Sequence, residues 1–310
     1  MESLLIANEI VKTYYDYRAL NNVSIEVPKG SIYGLLGPNG AGKTSLIRII
    51  NQIIYPNSGT IYFNGEPLQP SDVQHIGYLP EERGLYNRMK VGEQALYLAK
   101  LKGMSSFEAK KQLHYWFEKF EIRHWWDKKL HELSKGMAQK IQFIVTVMHK
   151  PKLLIFDEPF SGFDPVNASL IKDEILQLQQ EGATIIFSTH RMESVEELCE
   201  YIALIDRSNK VLDGKLSAIK NEFKPNEFEV SIWQQERIDT GALATHFNIL
   251  HQEYEIEEQQ LQLRIKLNAS QSANELLNEI SALGSIRKFN EIIPTANEIF
   301  LKAIERNSDK

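Results

Sequence analysis

Four stretches hold residues whose types and spacing suit chemistry on a phosphate. Gly37-Pro38-Asn39-Gly40-Ala41-Gly42-Lys43-Thr44 follows the pattern glycine, four residues, glycine, lysine, then serine or threonine. In such a loop backbone N–H groups wrap phosphate oxygens, and the helix that follows adds the positive end of its dipole. Lys43 then reaches the β- and γ-phosphates, and the Thr44 hydroxyl is placed to ligate Mg²⁺. A glycine-rich turn with a chance lysine is the alternative, and the strand before and helix after weigh against it. Asp157-Glu158 closes the continuous apolar run Leu153-Leu154-Ile155-Phe156. Acids at the C-terminal end of a buried strand sit where α/β sheets hold ligands. Asp157 there can help hold Mg²⁺ and Glu158 can polarise water, unless the pair only caps a helix.

His190 ends another buried run, Thr184-Ile185-Ile186-Phe187, and is the one of eight histidines that follows such a strand. A donor at that place can touch a γ-phosphate; the other histidines show no metal-ligand spacing. Glu81-Glu82 follows the strand Ile76-Gly77-Tyr78-Leu79-Pro80. Two readings stay open for these acids: a solvated connection, or ligands for a metal or an attacking water. Ser134 and Gly136 open a helical run, a weak sign of anion binding by itself. Tyr14, Tyr15 and Tyr17 form a cluster for which ordinary packing is favoured over stacking on an adenine base.

The elements that must position these residues follow from periodicity. Leu4–Val11 and Val23–Val27 are β-prone with partial alternation, which predicts an antiparallel β layer at the start. Ile32–Leu36, Thr60–Gly65, Ile76–Pro80, Leu153–Phe156, Thr184–Phe187 and Tyr201–Ile205 read as strands, the last pairing with Val211-Leu212 in a hairpin ended by Gly214. Helices are expected over Ser45–Ile54, through Ile141 to Met148, and through Ile171 to Leu178. A helical insert spans Val91–Asp127, its aromatics (Trp116, Phe117, Phe120, Trp125) read as core or as a face against a partner. Strand and helix alternate, so the main domain is layered α/β.

Beyond the polar stretch Lys220–Asn226 the character changes. Phe228–Trp233 and Leu261–Leu267 alternate as half-exposed strands. Amphipathic helices are predicted at Ala273–Leu283 and Asn297–Glu305, with a strand near Ile286–Ile293 between them. This segment carries no catalytic constellation and reads as a small α+β domain for regulation, packing or partner contact.

With 310 residues there is room for about two domains. A formal charge of −6 gives no support to nucleic-acid binding by bulk charge, and no nucleic-acid partner is expected. A single cysteine, Cys199, excludes a disulfide framework and suits a reducing compartment; its spacing with Val195 and Leu198 predicts a buried helix position. No run approaches the roughly 18–20 apolar residues needed to span a bilayer, and Met1–Ile6 shows no basic region followed by a long apolar stretch, so the protein is expected in the cytoplasm.

Taken in order, these motifs resemble the ATP-binding cassette (ABC) ATPases, the motor subunits of ABC transporters, over about residues 4–220. The resemblance implies a P-loop NTPase fold: an N-terminal antiparallel β layer, a RecA-like parallel sheet and a helical signature subdomain at about 85–150, within an ATPase domain of 1–220. A small α+β accessory domain at 221–310 completes it. Gly37–Thr44 matches the Walker A loop, with Ser45 beside it also counted among the residues that bind ATP. Leu154–Glu158 matches Walker B, with Glu158 the catalytic glutamate and Asp157 on Mg²⁺. Leu133-Ser134-Lys135-Gly136-Met137 looks like the signature motif, whose Ser134 and Gly136 would contact ATP held by a second subunit. Ser161–Pro165 is similar to the D-loop, placing Asp164 at the nucleotide, and His190 falls on the switch histidine. Tyr14 takes the adenine-stacking position, with Tyr17 its competitor.

Two departures matter. Glu81 stands where the family usually has glutamine; a carboxylate still ligates Mg²⁺ and orients water, with more negative charge near the phosphates. Lys135 replaces the usual glycine and Met137 the usual glutamine. Pro80–Tyr86 and the tail look like a subgroup of bacterial exporter-type ATPases, some related to sodium extrusion. The resemblance implies ATP and Mg²⁺ as cofactors and a second ATPase subunit, a homodimer being the simplest form. It also implies transmembrane permease subunits encoded separately and a peripheral place on the cytoplasmic face of the inner or plasma membrane. The competing readings are a soluble ABC ATPase acting on nucleic acid or ribosomes, and a regulatory module that holds ATP without hydrolysing it.

Overall fold

A computed structural model describes residues 2–82, 84–233 and 240–308. Arg83, in the charged run after Pro80, lies outside them. The chain divides into two units, one of Met1–Leu216 with Phe300–Lys310 and the other of Ser217–Ile299.

The first unit opens with β1 (Ser3–Tyr14) and β2 (Tyr17–Pro28), paired antiparallel. Their inward residues, among them Leu5, Ile10, Leu20, Val23 and Ile25, are buried. β3 (Ile32–Leu36) is buried along its whole length and feeds the glycine loop into α1 (Lys43–Ile50). β4 (Ser58–Phe63) and β5 (Glu66–Pro67) extend the first sheet to the order β2-β1-β4-β5. Its apolar face and the apolar side of α1, with Leu46, Ile47 and Ile50, share one core with β3.

Next come β6 (Ile76–Leu79) and three helices, α2 (Val91–Leu101), α3 (Ser106–Lys119) and α4 (Lys135–Val147). β7 (Leu153–Asp157), α5 (Pro165–Gln180), β8 (Thr184–Thr189), α6 (Met192–Leu198), β9 (Tyr201–Asp206) and β10 (Asn209–Lys215) follow. The second sheet runs β10-β9-β3-β8-β7-β6, parallel except at β10. Continuous apolar runs are what a parallel sheet covered on both faces requires, and β3, β7 and β8 are buried throughout. Because the strands are parallel, the loop after β3, the acids ending β7 and the histidine after β8 emerge at one edge.

Three expectations change. The loop helix stops at Ile50 rather than Ile54, because Asn51 donates its side-chain amide to the Ile47 carbonyl and Gln52 turns left-handed at φ 55°. Ile53 is accordingly 58% exposed. Cys199 is buried but lies one residue beyond α6, in extended backbone. Trp116 and Trp125 are only 6% and 8% exposed, so they are core and offer no face to a partner. Trp116 meets Phe143 edge-on at 6.2 Å, joining α3 to α4.

α7 (Leu216–Glu222) leads into the second unit, which contains β11 (Glu227–Trp233), α8 (Gly241–His246), β12 (Asn248–Glu255), β13 (Gln260–Lys266), α9 (Ala273–Ser281) and β14 (Ser285–Glu291). α10 (Ala296–Ser308) follows. Its antiparallel sheet has the order β12-β13-β11-β14. Phe228, Val230 and Ile232 pack with Leu261, Leu263, Ile265 and the α9 residues Leu276 and Ile280. Sequence pattern does not predict α8 or β12; β12 is an edge strand, mostly exposed, without the alternation that betrays a half-buried one. Its register slips between Ile249 and His251, and that of β14 slips opposite Ser231 and Ile232. Leu250 and Arg287 are the extra residues of those two bulges.

Candidate functional site

The glycine loop is held by backbone that leaves no room for side chains. Gly37 has φ 146° and Gly42 φ 116°, conformations that L-residues with a Cβ rarely adopt. A Cβ on Gly37 would overlap the carbonyl oxygen of Ile205, and one on Gly42 that of Ala19. The turn after β9 braces the loop from behind, since Ser208 N–H donates to the Ala41 carbonyl at 3.2 Å. That turn is braced in its own right: the Ser208 hydroxyl donates to the Arg18 carbonyl, and Asn307 of α10 donates to the Asp206 carboxylate at 2.9 Å.

A cleft of about 420 Å³ opens over the loop. Its walls are Tyr14, Tyr17 and Ala19 from the first sheet, loop and helix residues Asn39 to Ser45, and the acids Glu81, Asp157 and Glu158. Lys43 Nζ donates to the carbonyls of Gly37 (2.6 Å) and Pro38 (3.1 Å). Burial pulls its pKa below the ordinary lysine range, while Glu158, Asp157 and Glu81 pull the other way. One lysine therefore faces three carboxylates.

Asp157 is buried and accepts from the Ser188 hydroxyl at 2.7 Å. Burial raises its pKa, with Glu81 and Glu158 adding to the rise and Ser188 and Lys43 opposing it. Glu158 sits at φ 49°, a strained conformation for a residue of this size. Its carboxylate accepts from His190 N–H (2.9 Å), from the Thr189 hydroxyl (3.2 Å) and lies 2.6 Å from His190 Nδ1. The glutamate is thus aimed by the end of β8, and the histidine ring stays largely exposed.

Sequence reasoning missed Ser188 and Thr189 as the groups that orient the two acids, because a donor on the neighbouring strand is visible only once β7 and β8 pair. Tyr17 lines the cleft together with Tyr14, and its hydroxyl donates to the Gly40 carbonyl at 2.8 Å. Lys12 Nζ lies 5.2 Å from the centre of the Tyr14 ring.

Ser134, Gly136 and Asp164 do not line this cleft. Ser134 caps α4 by accepting from Met137 N–H, and Asp164 caps α5 by accepting from Asn167 N–H. These bonds hold the Asp164 carboxyl below the usual range. The Lys135 stem lies over Gly162, where a Cβ would come within 2.9 Å of its Cε. Gly37 and Pro38 shape the loop without facing the cavity.

Oxygen donors from Thr44, Asp157 and Glu81 beside a phosphate loop suit Mg²⁺, which takes one or two carboxylates plus substrate phosphates. Among the described residues no three His, Cys, Asp or Glu gather into a self-sufficient metal cage.

A phosphate loop after β3 and acids ending β7 in a parallel sheet define a nucleotide-hydrolysing α/β protein. Residues 20–161 match the family described as ABC transporter, and residues 214–304 match the ATP-binding protein DrrA1-3-like C-terminal domain. YhaQ, an ABC transporter ATP-binding protein of Bacillus subtilis (strain 168), is 42% identical over 301 residues, 97% of this chain and 98% of its own. NatA, the ABC transporter ATP-binding protein of the same strain, is 35% identical over 206 residues, 65% of this chain and 84% of its own. A solved ATP-binding subunit of an ABC transporter superposes with a TM-score of 0.67 at 28% identity, covering 71% of this chain and 93% of that one. The chain belongs to the ABC transporter ATP-binding proteins. It binds ATP, hydrolyses it to drive transport and works with a separate membrane permease. Among its described residues no helix is long and apolar enough to cross a membrane.

Proposed function

We propose that two copies of this chain close face to face on two ATP molecules, each glycine loop opposed by the other copy's Ser134 and Gly136. One observation carries this reading. The cleft collects the phosphate loop and three acids, while Ser134 and Gly136 stand outside it on the exposed start of α4. Such a half-site is completed by a second surface.

Within the cleft the residues divide the labour. Tyr14 stacks on the base, with Tyr17 as the alternative ring. The loop from Gly37 to Ser45 and Lys43 cradle the phosphates. Thr44, Asp157 and Glu81 would hold Mg²⁺, which would supply neutralising positive charge beside the phosphates. Glu158 orients and deprotonates the attacking water, held in place by Thr189 and by His190, whose exposed face reaches the γ-phosphate. Asp164 acts through the segment it caps, at the dimer seam. Residues 1–220 form the ATPase domain with its helical subdomain at 85–150, and 221–310 the accessory domain. The protein works on the cytoplasmic face of the membrane, and its transporter exports, as the names of relatives for linearmycin resistance and Nod factor export suggest.

The test is light scattering of purified Glu158→Gln with and without ATP and Mg²⁺. A shift from one copy to two on adding ATP is expected, and is lost on adding Ser134→Arg. A single-copy mass at saturating ATP overturns the two-copy reading.

A further inference from the structure

A second cavity lies apart from the nucleotide cleft. It is an open basin of about 810 Å³ on the second unit's sheet, on the polar face opposite the apolar side that packs on α9. Its volume lies in the range of sites that take small organic ligands. Register places Glu229 beside Arg264, and Ser231 between Gln262 and Lys288, across the middle of the basin.

Its charges are matched except for one. Arg264 pairs with Glu227 at 2.7 Å, and Lys288 with Glu229 at 2.6 Å. Arg287 lines the same basin and, among the described residues, has no partner. It is there because of the bulge in β14, which inserts it between Ile286 and Lys288. The bulge in β12, on the opposite edge, brings Leu250 into the lining in the same way. Bulges re-aim side chains at sites of function. Here two of them, on opposite edges of one sheet, supply a guanidinium without a partner among the described residues at one side and an exposed apolar residue at the other. Between them lie groups that form hydrogen bonds: Gln260, Gln262 and Ser231. Four strands place the two edges about 14 Å apart, the length of roughly four extended residues.

We infer that this basin binds a short peptide carboxylate, its terminal carboxylate on Arg287, its amides over Gln260, Gln262 and Ser231, and an apolar side chain against Leu250. The excess positive charge stands out in a chain whose formal charge is −6. A planar guanidinium suits a carboxylate better than an ammonium does, because it offers two parallel N–H donors.

Calorimetry on the full chain tests this with N-acetyl-Leu-Ser-Gly-Gly as the free acid and as the C-terminal amide. The acid is expected to bind saturably, and the amide about ten- to hundred-fold more weakly, the range for a charge-assisted hydrogen bond. Arg287→Gln should lose the same factor against the acid and show no further loss with the amide, while Arg287→Lys falls between. Leu250→Ser should weaken both peptides alike. Since Arg287 and Leu250 are exposed, the thermal midpoint and ATP affinity of these variants should match the parent. Equal binding of acid and amide, unchanged binding by Arg287→Gln, or no saturable binding overturns the proposal. Competition by acetate as strong as by the peptide would reduce the basin to an anion patch and overturn the peptide assignment.

Discussion

The proposed site uses the glycine loop and the start of α4 alike as phosphate contacts, yet the structure treats them oppositely. The loop is locked into the fold: Gly37 and Gly42 press on backbone carbonyls, Lys43 is buried, and Ser208 braces Ala41. The start of α4 is exposed at Ser134 and Lys135, and Gly136 has ordinary van der Waals room, its nearest neighbour for an added Cβ being the Gly162 carbonyl at 3.6 Å. One half of the site is built by this chain's own packing. The other, in the proposed two-copy arrangement, would serve the partner copy, and its geometry leaves room around Gly136.

Substitutions can break that contrast or sharpen it. The largest effect belongs to Glu158→Gln, in which phosphate release should slow by about 10²–10⁴-fold, the span for loss of a positioned general base, with ATP still bound. Steady-state hydrolysis near the parent's would remove Glu158 from that role. Gly37→Ala comes next. The strain of a positive φ alone costs about 1–3 kcal/mol, and the overlap with Ile205 adds to it, so urea denaturation should show a clear loss. Gly136→Ala is its counterpart: stability should hold or rise by up to about 1 kcal/mol, as alanine favours a helix, while ATP-driven pairing weakens. If the two glycines cost the fold equally, the contrast fails.

Asp157→Asn probes the built half through pH. Burial raises the folded-state pKa of Asp157, so folding favours its protonated form, and stability declines as pH rises through that raised value. The amide should therefore stabilise the fold at pH 7 by about 0.5–1 kcal/mol while abolishing Mg²⁺-dependent hydrolysis, with the gain vanishing in acid. Melting curves at pH 7 and pH 4 decide it. The smallest effect is at Lys135, a cation in the first turn of α4 where the helix dipole disfavours it. Lys135→Gln keeps most of the stem over Gly162 and should add about 0.3 kcal/mol, seen as a small rise in the melting midpoint.

How much of this could be read beforehand follows the same division. The eight residues from Gly37 to Thr44 are contiguous and flanked by strand and helix, so local pattern alone identified them. Asp157 and Glu158 were visible because a buried strand delivers them. Their orienting partners were not, since Ser188 and Thr189 act across a strand pair whose register no local pattern encodes. The aromatic helices were recognised, but periodicity could not tell a core from a docking face, and the burial of Trp116 and Trp125 decided for core. Edge strands such as β12 lack alternation because only one flank is paired, and bulges erase what remains.

Asp206 and its partner Asn307 are 101 residues apart in the chain. On the ribosome the glycine loop is made early and folds as its neighbours emerge, N-terminal segments generally first. The turn that backs it gains its last side-chain tie only when α10 has been synthesised. The nascent protein thus passes through an interval in which the nucleotide cradle exists without that brace, and α10 adds it afterwards.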